Sequence, residues 1–116
     1  MIARYSPLLE SLTRLRGIRG AMVVSAEDGL IVAESVMAGV KGAAIAALAA
    51  TLAGRTAELA QRCGLGVPRF LHLHAEEGAL LVAPATTDLV LVAVAGRDLP
   101  LGLLRLEMLR MAERLA

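Results

Sequence analysis

His72 and His74 are the only histidines in the chain. They lie in Phe70 to Ala75, a run that alternates as a half-buried strand does. Residues two apart on a strand project from the same face, so two imidazoles so placed could begin a zinc site. No third histidine and no second cysteine exists to complete it, and Glu76 and Glu77 belong to the following turn. The pair therefore reads as two half-exposed histidines on an edge strand, with no metal expected. Cys63 falls at the end of a long apolar run, on the side expected to face the core, and has no base beside it in sequence, as a catalytic thiolate would need. Ser25, Ser35, Thr86 and Thr87 could be nucleophiles only with a base, and the histidines are not placed by sequence to serve them. Glu10, Asp28, Glu34, Asp88 and Asp98 are scattered, and no two are spaced to converge locally. No catalytic constellation is expected.

Two glycine motifs also fail on context. Gly64-Leu65-Gly66 opens like a dinucleotide fingerprint, but Arg69 stands where the third glycine belongs, and the motif follows a helix rather than a strand. No GxxxxGK[ST] phosphate loop occurs, so no nucleotide cofactor is expected. Gly17-Ile18-Arg19-Gly20 has the bare GxxG of a KH loop, yet leads into a strand rather than joining two helices. Arg55, Glu58 and Arg62 are the polar residues of most interest. They share a narrow stripe of one helix, where Glu58 and Arg62 form a favourable i,i+4 pair. They read either as a solvated seam or as a charged rim for a protein partner.

The elements that hold these residues follow from short turn signals. Ser6-Pro7 looks like an N-cap with proline at the first helical position. Leu8, Leu9, Leu12 and Leu15 recur at helical spacing up to Gly17. Ala21 to Ser25 and Leu30 to Ser35 are strand-like runs joined through Glu27-Asp28-Gly29, a strong hairpin signal. A long helix, about Ala43 to Arg62, ends at Gly64 and Gly66. Ala79 to Ala83 and Leu89 to Ala95 are continuous apolar runs, as strands covered on both faces require. A last helix after Pro100 carries Leu101, Leu104, Met108, Met111 and Leu115 as its apolar stripe.

On the long helix, Ile45, Leu48, Leu52, Leu59 and Cys63 fall within a sector of about 60° at 100° per residue. They are the expected face for the sheet. Ala43, Ala46, Ala50, Ala53, Gly54 and Ala57 gather on another flank, where small residues would let a second helix approach, most simply that of a second copy. Composition agrees with excess apolar surface: 116 residues, 57% hydrophobic and 20% charged, with a net charge of +1. Near-neutrality and only Tyr5 and Phe70 as aromatic residues argue against a nucleic-acid module. The longest uncharged, strongly apolar stretch, Gly42 to Gly54, is shorter than the roughly 20 residues a membrane span needs, so no membrane insertion is expected. The N-terminus carries arginines where a signal peptide would be apolar. A single cysteine suits a reducing cytoplasm.

With this order in hand, the chain resembles the Roadblock family, the dynein light-chain-related fold. Ile18 to Ser25 resembles the family's entry into its first strand, and Asp28 to Glu34 its turn and second strand. Ala46 to Leu52 resembles its alanine-rich central helix, Leu65-Gly66 the exit from that helix, and Pro100 to Leu106 the start of its last helix. The resemblance implies one α+β domain over residues 1–116, a profilin-like three-layer sandwich. In it a five-stranded antiparallel sheet carries the middle helix on one face and the terminal helices on the other. It also implies homodimers or heterodimers in which middle helices pack together and third strands pair edge to edge. Ala46, Ala50, Ala53 and Ala57 would make the helix contact, and Leu71 and Leu73 belong to the strand that pairs. His72 and His74 would then approach their mates across the interface, and their protonation would weaken it. Functionally the resemblance implies a non-catalytic, cytoplasmic scaffold that binds a Ras-like small GTPase, with Arg55, Glu58 and Arg62 as the partner rim. The alternative is a pure assembly adaptor with no effect on GTP hydrolysis.

Overall fold

The computed structural model describes residues 4–86 and 88–115; Thr87, one of the hydroxyls weighed above, lies outside them. The chain runs α1 (Ser6–Thr13), β1 (Ile18–Ser25), β2 (Ile31–Val36), α2 (Gly42–Arg62), β3 (Leu71–Ala75), β4 (Gly78–Pro84), β5 (Leu89–Ala95) and α3 (Leu101–Leu115). The five strands form one antiparallel sheet in the order β2-β1-β5-β4-β3. The two hydrophobic runs expected to be covered on both faces, β4 and β5, are interior strands. The short, more polar β2 and β3 are the edges, where an exposed face costs least.

Alternation along the strands divides the core in two. Ala21, Val23, Leu81, Leu91 and Ala93 point to one face, where Leu9 and Leu12 of α1 and Leu104 and Met108 of α3 cover them. Met22, Val24, Val82, Val90 and Val92 point to the other, beneath Ala46, Ala49 and Ala50 of α2. This is the expected sandwich, with the middle helix opposite the terminal two.

Local chemistry explains the element ends. Ser6 is inside the first helix, and Tyr5 takes the cap position without a side-chain hydrogen bond, a small shift from the expected Ser6 cap. At the β1–β2 turn, the Leu30 N–H donates to Asp28 Oδ1 at 3.0 Å and the Gly29 N–H to the Ser25 carbonyl at 2.9 Å. α2 stops where Gly64 takes φ +74° and the Leu65 N–H donates to the Ala60 carbonyl at 2.8 Å. That left-handed glycine cap satisfies a terminal carbonyl the helix itself cannot.

Candidate functional site

α2 is rolled about its axis from the sequence expectation: Ile45 does pack on the sheet cluster and Leu52 is half-buried, but the rest of the expected face turns outward. Its buried residues are Gly42, Ala46, Ala49, Ala50 and Ala60, whereas Leu48 is 71% exposed and Leu59 62%. Cys63 is exposed rather than in the core. Part of the alanine flank is therefore spent within the chain, while Ala43, Gly54 and Ala57 stay exposed. Ala46 and Ala50 are closed under the sheet, so neither is free to meet a second helix. Ala53 is half-buried against the same cluster. Ala57 alone of the four is exposed. The physical reason lies in the sheet. Met22, Val24, Val82 and Val92 already fill the layer with bulk, so alanines lie over them with Ile45 only partly buried beside them, and larger side chains at the buried positions would overpack.

The outward face of α2 is thus a stripe in which leucines and charges mix. Arg55, Glu58 and Arg62 are all exposed, and Arg62 reaches Glu58 at 3.6 Å. An ion pair this exposed adds little stability. By length and composition α2 would pass for a membrane span, with 21 residues and a mean hydropathy of 1.2. Its alanine face, however, closes a core with the sheet, and one helix cannot cross a bilayer and line that core at once.

β3 borders this surface. Leu71 and Leu73 stand opposite Val82 and Leu80, which belong to the cluster under α2, so both leucines lie on the α2 side of the sheet. Leu71 is half-buried, and Leu73 is 54% exposed. On the other side, His72 and His74 are exposed, with ring centroids 5.7 Å apart. Among the described residues no strand pairs with the outer edge of β3, so its outward amides and carbonyls are open to another strand.

Two shallow grooves stand out among the described residues. One, of about 570 Å³, runs beside α3 and is lined by Val67, Arg69, Thr86, Arg105, Leu109 and Glu113 among others. At the other, Arg97 is held by the Glu76 carbonyl at 3.0 Å and by Glu77 at 2.9 Å. Among the described residues no three His, Cys, Asp or Glu side chains cluster as metal ligands. Sequence reasoning missed Leu48 and Leu59 as surface residues. The signal was present in the size difference between the two flanks of the helix.

Comparison with known proteins fits this architecture. The Roadblock/LC7 domain family matches residues 6–95. Two uncharacterized proteins of Methanocaldococcus jannaschii are 31% and 30% identical over 108 residues, covering 93% of this chain and 93% of each relative. The gliding protein MglB of Thermus thermophilus superposes with a TM-score of 0.88 at 27% identity, over 99% of this chain and 87% of that one. An MglB structure with a tetrameric arrangement gives 0.89 at 28% identity, with the same two coverages of 99% and 87%. A Roadblock/LC7 domain from Streptomyces avermitilis shares the fold, with a TM-score of 0.84 at 24% identity over 93% of this chain and 91% of that one. With the sandwich, the strand order and the sequence match in agreement, the chain belongs to the Roadblock/LC7 family.

Proposed function

We propose that this chain is a non-catalytic cytoplasmic scaffold that pairs with a second copy of itself and regulates a Ras-like small GTPase. The observation that carries the reading is the mixed outward face of α2 beside an open sheet edge. Leu48, Leu59 and Leu73 are more than half exposed, and all three lie on the α2 side. Apolar surface of this kind on a folded chain marks an interaction site. A second copy fits it because an antiparallel β3–β3 contact is self-complementary and would remove both open edges. The corrected orientation moves the helix contact from the alanines to Leu48 and Leu59. The MglB solved in a tetrameric arrangement supports self-assembly on this fold.

Arg55, Glu58 and Arg62 then border the paired helices as a charged rim for the GTPase. Such a partner brings its own phosphate loop and magnesium, and a scaffold acts on it by steadying its switch loops. The test is GTP hydrolysis by a small GTPase encoded beside this protein, measured with and without it. A changed rate supports regulation. Tight binding with an unchanged rate makes the chain an assembly adaptor instead.

A further inference from the structure

The two imidazoles of β3 have no part in the scaffold reading, yet they are placed as a chelating pair. His72 stands opposite Leu81 and His74 opposite Ala79, so both leave the sheet on the side of α1 and α3, where Leu81 is buried. Both are exposed, and their rings are 5.7 Å apart and 24° from parallel. Two imidazoles on one tetrahedral zinc, with Zn–N bonds of about 2.0 Å, keep their centroids about 5 Å apart. The observed spacing reaches that value by side-chain rotation alone.

A second copy on the open edge of β3 supplies the rest; the inference rests on the pairing proposed above. Directly opposed residues in an antiparallel ladder share a face, so each histidine is opposed only by an even-numbered residue. Pairing centred on Leu73 uses all of Leu71–Ala75. It sets His72 against the partner's His74 and His74 against the partner's His72. Opposed Cβ atoms then lie about 4.5–5.5 Å apart. Four imidazoles thus share one face around the two-fold axis. Glu77 at the hairpin is held by Arg97 at 2.9 Å, which leaves the imidazoles as the principal donors. We propose that His72 and His74 of two copies together bind one divalent transition metal, zinc by preference, at the two-fold axis of the dimer. An all-imidazole set suits zinc, copper or nickel rather than magnesium or calcium. The metal ties the two edge strands in one register, so dimer affinity follows metal supply.

The experiment uses tag-free full-length protein carrying Cys63→Ser, which removes a competing exposed thiol. Zinc is titrated by calorimetry, and the dimer dissociation constant is measured by sedimentation with zinc and with EDTA. The expected result is one zinc per two chains and at least a tenfold tightening of the dimer. Both are lost in His72→Ala and His74→Ala, whose circular dichroism stays that of the parent. One zinc per single chain with an unchanged dimer constant would overturn the shared site. A dimer that binds no zinc would overturn the site and leave the pairing standing, whereas a chain monomeric with and without zinc would overturn both.

Discussion

Asp28 and Gly29 show how much two adjacent residues decide. The backbone N–H of Leu30 donates to the Asp28 carboxylate and, with a smaller effect from the Ser25 hydroxyl, holds its pKa below the ordinary 3.8. A carboxyl depressed in the folded state contributes stability that is present above pH 3.8 and lost as pH falls through the lowered value. A carbon-13 titration should place the Asp28 midpoint below 3.8; a midpoint at or above it would reject the turn geometry. Gly29 has φ +72°, and a Cβ there would sit 2.9 Å from the Ala47 Cα. Gly29→Ala should therefore cost more than about 1 kcal/mol in a denaturant melt. The hairpin was legible because Asp-Gly is a local signal. The approach of Gly29 to α2 was not, since it depends on a helix that begins well beyond the turn.

α2 teaches the lesson of the element. A helical projection sorts residues into shared faces but does not say which face the sheet takes. Bulk was expected inward and alanine outward; the helix is instead rolled so that Ala46, Ala49 and Ala50 meet the sheet with Ile45 packed beside them, while Leu48 and Leu59 face out. Cys63, at the C-cap beyond the last helical residue, is exposed as well. The two faces should respond oppositely to substitution. Ala46→Leu inserts volume at a fully buried site and should cost about 1–3 kcal/mol, read as a lower urea midpoint. Leu48→Glu with Leu59→Glu should keep the thermal transition of the parent and sediment as a monomer. An unchanged dimer would remove this face from the pairing.

At the scale of the molecule, the layers were readable and the strand order was not. Hairpins β1–β2 and β3–β4 follow from Asp28-Gly29 and Glu76-Glu77-Gly78. The junction of β1 with β5, from Ile18↔Ala95 to Ser25↔Leu89, joins the two ends of the chain and has no local signature. The candidate surface suffered likewise, since it depends on which side of α2 the assembled sheet claims. Arg55→Glu tests its charged part. The fold should be unaffected, because the side chain is exposed, and capture of the GTPase should fall at least severalfold in a pull-down. Capture equal to that of the parent would take Arg55 out of the rim.

The methyl-thin seam between α2 and the sheet has one more consequence. Because foldedness is secured by side chains on the hidden half of the coil, those on its outer half are free to change with little penalty. Under the pairing proposed above, a cell holding several such chains would sort them into distinct couples by exchanging a few outward leucines and arginines, with the same chassis underneath each.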